Sequence, residues 1–217
     1  MQVSMLIAQT IAFLPLSRLR CSAYRLLLKY KIDRKAQIGF GTFIAVDQAS
    51  IGNCVIAKFN RFSGPMTITI GDDVRIGAKN RFDCGSWAAS HPSSGLPYAR
   101  SLYIDNAAVI TGQHLFDVVG GLHIGKRTWI AGAASQFWTH GAGANERDIR
   151  IGDDCYIGSA VRFTPGAEIS DGSQVGVGSV VTKSFQELNA LIAGVPARWI
   201  KNAESWQAQR SNQRPPP

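Results

Sequence analysis

From Ile151 to Val181 a large apolar residue stands at every sixth position, Ile151, Ile157, Phe163, Ile169, Val175 and Val181, without a slip. Four places after each of the first five comes a small or modest residue: Cys155, Val161, Ala167, Ser173 and Ser179. An amphipathic helix repeats its apolar face near 3.6 residues and a half-buried strand at 2, so a period of six fits neither. It fits a coil of short flat strands joined by tight turns, in which each hexad sends one large and one small side chain inward. Self-similarity at a fixed short period is the mark of a parallel β-helix, an all-β solenoid. One rung of such a stack cannot bury its own apolar side, so neighbouring rungs and covers at both ends are required.

The same beat runs through earlier parts of the chain with interruptions. Ile38 and Ile44 are six apart, Ile51 follows at seven and Ile56 at five, and Ile70 and Ile76, Ile104 and Ile110, and Ile124 and Ile130 restore the interval. We expect a β-helix over residues 36–183, with irregular loops at 81–103, 111–123 and 135–149 where the beat lapses. Residues 1–35 begin apolar and turn basic, with Arg18, Arg20, Arg25 and Lys29 among leucines; the segment predicts an amphipathic helical cap broken near Pro15. It suits first a cover for the first rung; the alternative is a helix lying in the inner leaflet of a membrane with its cations on anionic lipid, and the two are compatible. Its apolar run is too short to span a bilayer, and no charged region precedes it as a secretory signal requires. Residues 184–202 should fold over the last rung as a C-terminal cap. Residues 203–217, polar and ending in three prolines, should be disordered.

At 217 residues and 45% hydrophobic content, the chain is long enough for one sizeable domain with a real core. The formal net charge of +8 is spread along the chain and accompanies no nucleic-acid motif, so anionic small molecules or a membrane surface fit it better than nucleic acid. Cys21, Cys54, Cys84 and Cys155 lie far apart without a CxxC pair, which supports neither a zinc site nor a disulfide framework. Reduced thiols point to the cytoplasm. Cys155 fills the small inward slot of its hexad and reads as a buried small hydrophobe, and Cys84 has no neighbouring histidine to activate it. The glycines follow the hexad beat and form no phosphate-binding loop.

The run IGDDCYIGSAVRFTPGAEISDGSQVGVGSVVTKSF, followed by AGVPARWIK, resembles the hexapeptide-repeat acyltransferases, in the branch of the maltose, galactoside and exopolysaccharide O-acetyltransferases. The likeness extends from about Ile38 to Asn202. It implies a left-handed β-helix; the period alone does not fix the hand, and the general preference for right-handed crossovers would suggest the opposite. It also implies a homotrimer with the active site between subunits, and acetyl-CoA as co-substrate with no metal. The expected reaction is transfer of an acetyl group to a sugar hydroxyl in surface polysaccharide (exopolysaccharide, capsule or lipopolysaccharide) biosynthesis, with a free sugar or a polysaccharide precursor as acceptor.

Acyl transfer from a thioester to an alcohol needs a base that works near neutrality and donors for the oxyanion that forms. Histidine has the suitable pKa, and there are four: His91, His114, His123 and His140. His123 immediately precedes Ile124 in a hexad and reads as a surface position, and His91 stands beside Pro92 in the long excursion. His140, in FWTHGAG, falls where the resemblance puts the catalytic base. His114 stands about where the sugar acetyltransferases carry a substrate-binding asparagine, a departure that bears on the acceptor. His114 and Asp117, three apart, suit a hydrogen-bonded pair that positions a sugar hydroxyl or His140 itself, or a pair held only for structure. By the same resemblance Tyr156, Ser159 and Val177 would line the coenzyme A groove, with Thr182, Lys183, Arg198 and Lys201 at its end facing the nucleotide phosphates. The competing readings are a serine or amino-sugar acetyltransferase of the same fold, a γ-type carbonic anhydrase requiring three histidines on zinc, and a non-catalytic assembly module.

Overall fold

The computed structural model describes residues 2–90, 98–204 and 206. Two helices, α1 (Gln2–Ala12) and α2 (Ser17–Leu27), open the chain and flank Pro15. Beyond them the backbone winds into a left-handed parallel β-helix closed by a hairpin at its C-terminal end. Each coil contributes a short strand to each of three flat faces, and every strand pairs in parallel with its counterpart in the next coil. The first face carries Ile38, Ile56, Ile76, Ile110, Ile130, Ile157 and Val175 in register. The second carries Ile44, Phe62, Phe82, Phe116, Phe137, Phe163 and Val181. The third carries Ile51, Ile70, Ile104, Ile124, Ile151 and Ile169. The strands Phe43–Ile51 and Arg61–Ile70 run unbroken round the edge between the second and third faces and join these into one curled sheet.

Three columns of buried side chains therefore fill the prism. On the second face the column is aromatic: rings of Phe62, Phe82, Phe116, Phe137 and Phe163 stack with successive centroids 4.4, 4.4, 4.6 and 5.1 Å apart. These phenylalanines explain a difference from the sequence reading. The segments 81–103, 111–123 and 135–149 contain the strands Arg81–Asp83, Leu115–Asp117, Gly121–Ile124 and Gln136–Phe137, because Phe82, Phe116 and Phe137 keep the beat where aliphatic residues drop out. The chain leaves the coil chiefly at one edge, between the second and third faces, after Cys84 and after Trp138.

The edge between the first and second faces is bound by a polar spine. Thr42 Oγ1 accepts the N–H of Asn60, Asn60 Oδ1 that of Asn80, Asn80 Oδ1 that of His114, and His114 Nδ1 that of Ser135. Ser135 Oγ continues the series by accepting the N–H of Val161. At the third edge, glycine follows isoleucine because the next coil's side chain lies over it: a Cβ on Gly71 would meet Asn106 Oδ1 at 2.2 Å and one on Gly125 would meet Asp153 Oδ1 at 2.5 Å. Those same oxygens accept the N–H groups of Asp72 and Lys126.

The first coil would present bare backbone groups at its edge, and the helical cap meets them. Tyr24 Oη accepts the N–H of Ile44 and donates to the carbonyl of Thr42, both at 3.1 Å. Tyr30 Oη does the same for the N–H and carbonyl of Val46. Ser17 Oγ accepts the N–H of Ile38, whose carbonyl takes the buried Arg20 Nε–H. At the other end Ala190–Gly194 pairs in parallel with Gln174–Val175 and antiparallel with Ala197–Asn202. Of the tail expected to be disordered, 205 and 207–217 lie outside the described residues. Among the described residues no helix is long and apolar enough to cross a membrane.

Candidate active site

The strand Gln136–Phe137 ends with Trp138, whose N–H makes the last ladder bond, to Phe163. The next N–H, that of Thr139, is taken by Asp117 Oδ2 of the preceding coil at 2.9 Å, so a carboxylate replaces the ladder carbonyl at the point where the chain turns outward. Thr139 is fully buried; its hydroxyl lies 2.7 Å from the same Oδ2 and accepts the N–H of Gly120 at 2.8 Å. This anchoring brings His140 against the carboxylate, with Nδ1 2.8 Å from Asp117 Oδ2. The Asp117 side chain is 9% exposed and that of His140 39%.

An ionised carboxylate only accepts, so Nδ1 carries the proton and Nε2 presents its lone pair. Nε2 has no hydrogen-bond partner among the described residues. One edge of the imidazole rests on Trp87, 5.4 Å between centroids. Trp87 belongs to the 3-10 turn Ser86–Ala89 and meets Tyr98 edge-on at 5.5 Å, and the Arg147 guanidinium lies 4.3 Å over the Tyr98 ring. The two excursions thus close on each other through aromatic contacts. A cavity of about 620 Å³ has Tyr98, Gly120, Arg147, Asp148, Arg150 and Glu168 in its wall, and neither Asp117 nor His140 lines it.

The expected His114–Asp117 pair does not form. The strand Leu115–Asp117 turns Phe116 inward, and His114, which precedes it, and Asp117, which ends it, point to different places. His114 occupies the position of Asn60 and Asn80 in the polar spine, 2% exposed, with Nε2 3.0 Å from Thr111 Oγ1 and Nδ1 accepting from Ser135. Burial lowers its pKa from 6.5 to about 4, so it is neutral near pH 7. Both its nitrogens are engaged, which leaves none for a metal and weakens the carbonic anhydrase reading. His123 is half-buried and edge-on to Tyr103; His91 lies outside the described residues. Among the described residues no cluster of His, Cys, Asp or Glu would hold a metal ion.

The residues expected around coenzyme A fall into groups. Ser159 and Val177 stand at the same edge in adjacent coils, where the N–H of Gly178 donates to the Ser159 carbonyl at 2.9 Å, and Val177 is 76% exposed. Thr182 and Lys183 stand at the edge that carries His140, both exposed, with Lys183 Nζ 5.2 Å from the Phe185 ring. Arg198 and Lys201 are exposed on the closing hairpin. Tyr156 is instead packed between Trp129 and Trp206, at 5.8 and 5.9 Å, because it faces outward on the first face and Trp206 returns over it. A single subunit does not gather all seven into one groove. Burial raises the thiols of Cys54, Cys84 and Cys155 to about 12, which makes none of them a nucleophile at neutral pH. The sequence marks Trp87 and Tyr98, with His91, as candidates for a partner or substrate contact in the long excursion; Thr139 and Arg147 were not singled out, and the Thr-His dipeptide was the one local signal for Thr139.

No family model matches the chain. A 53-residue stretch is 47% identical to the galactoside O-acetyltransferase of Escherichia coli strain K12, 24% of this chain and 26% of that protein. A 54-residue stretch is 44% identical to the chloramphenicol acetyltransferase of Morganella morganii, 25% of each. The chain thus spans about a quarter of the length of these curated relatives. A maltose O-acetyltransferase from Clostridium difficile 630 has a similar solved structure, with TM-score 0.49 and 26% identity over 62% of this chain and 69% of that one. These relatives are hexapeptide-repeat acetyltransferases, and the chain is a hexapeptide-repeat β-helix protein similar to them.

Proposed function

We propose that this protein is an acetyl-CoA-dependent O-acetyltransferase acting on a sugar hydroxyl, in the building of a surface polysaccharide. The observation that carries the reading is the His140–Asp117 pair, with Nδ1 held by a buried carboxylate and Nε2 left for a substrate. His140 Nε2 removes the acceptor hydroxyl proton as the oxygen attacks the thioester carbonyl. The tetrahedral adduct collapses, the C–S bond breaks, and the Nε2 proton passes to the departing thiolate. Asp117 fixes the tautomer and offsets the positive charge that develops on the imidazole. Coenzyme A supplies the activated acyl group, and Lys183, Arg198 and Lys201 carry charge suited to its phosphates.

The resemblance implies a homotrimer with the site between subunits, and the spread of the candidate coenzyme residues over one subunit, with His140 partly exposed, supports that reading. An intracellular acyl donor and four thiols outside any disulfide are consistent with a cytoplasmic enzyme. Thiol release from acetyl-CoA, measured against a panel of sugars with serine and amino sugars as competitors, tests the reaction and the acceptor together. His140→Ala should lower kcat/KM by about 10²–10⁴. A variant within a few-fold of wild type would remove His140 as the base.

A further inference from the structure

Helix α2 has three sides rather than two. One side seals the first coil through the buried Arg20, Cys21 and Tyr24. At about 100° per residue, Leu16, Leu19, Leu26 and Leu27 share a stripe on another side. All four are exposed, Leu26 by 68%. The third side is basic, with Arg18 and Arg25, and Lys29 follows just beyond the helix. Phe13 on the loop after α1 is 63% exposed and meets Phe40 of the first coil edge-on at 5.5 Å, so the apolar surface continues from the cap onto the solenoid. An aqueous surface rarely leaves so many large side chains uncovered at one end of a molecule.

The charge around this surface indicates what covers it. Residues 1–32 hold five cations, Arg18, Arg20, Arg25, Lys29 and Lys31, and no acidic residue. Only Arg20 is spent on sealing the coil. A stripe of leucines bordered by uncompensated Arg and Lys matches an anionic bilayer surface, with the leucines at acyl-chain depth and the cations at the phosphates. A second copy of this chain would bring the same positive charge against itself. We propose that the N-terminal end of the solenoid docks on an anionic lipid surface, with the prism standing off the membrane. The inference is independent of the acetyl-transfer chemistry.

Sedimentation of the full chain with phosphatidylcholine vesicles, with and without phosphatidylglycerol, tests it. The protein should pellet with the anionic vesicles, less so as salt is raised. Leu19→Glu/Leu26→Glu should cut binding at least about tenfold with an unchanged melting temperature, since both side chains are exposed. Arg18→Glu/Lys29→Glu should abolish the preference for phosphatidylglycerol. Failure of the wild type to pellet, or equal binding by the leucine variant, would overturn the proposal. So would a leucine variant that keeps vesicle binding and loses oligomeric mass in light scattering, which would make the stripe a contact between copies.

Discussion

Asp117 ends the strand that His114 immediately precedes, yet one faces the proposed base and the other the polar spine. Asp117 Oδ2 collects Thr139 and His140, so Asp117→Asn should lower kcat by at least about tenfold while the KM for acetyl-CoA stays within a few-fold. An effect confined to thermal stability would reduce Asp117 to an anchor for the loop. His114 cannot take a proton without setting Nδ1–H against the Ser135 N–H. Its folded pKa of about 4 lies below the ordinary 6.5, so the unfolded chain binds more protons between those values. Stability from this group is therefore full above about pH 6.5 and is lost as pH falls toward 4, on the order of 3 kcal/mol. His114→Asn, which places at this site the residue its spine neighbours already use, should flatten that acid limb in urea melts recorded across pH. An unchanged limb would reassign it elsewhere.

Among the elements, the phenylalanine column and the tyrosine-studded cap bear the most. Phe116 stacks on both sides in the middle of the column, so Phe116→Ala should destabilise by about 3–5 kcal/mol in equilibrium unfolding. Tyr24→Phe removes the hydroxyl that serves both the Thr42 carbonyl and the Ile44 N–H, and should cost about 1–3 kcal/mol although no carbon is lost. The hexads from Ile151 to Val181 were legible because no insertion breaks the six-residue spacing there. The coils before them were obscured where excursions left the coil after Cys84 and Trp138 and where a larger polar side chain occupied the small slot. Asn60, Asn80 and His114 are one structural series, but their chemical variety hides the repeat, which is why His114 resembled a site residue. The hydrophobic cap was visible as amphipathic; that its tyrosines complete the sheet edge depends on contacts many residues away.

For the whole molecule, the coiled solenoid could be read from spacing and its hand only from the resemblance, whereas the site depends on which edge the excursions leave. Trp87 stands more than fifty positions before His140 and Asp117 more than twenty, and both meet it only because coils place their turns in line. Cys54, Cys84 and Cys155 should resist a thiol reagent in the native protein and react on unfolding, given the buried surroundings that hold them near 12. The departure at Cys84 and the return at Arg100 are both fastened to the coil, by the Cys84 N–H to Ser63 and the Thr67 N–H to the Arg100 carbonyl. The intervening chain is thus a cassette clipped to a spool. Swapping it for another length or composition should alter which acceptors are admitted while leaving the winding intact, so new specificities on this framework are to be sought by exchanging inserts and not by redesigning the barrel they hang from.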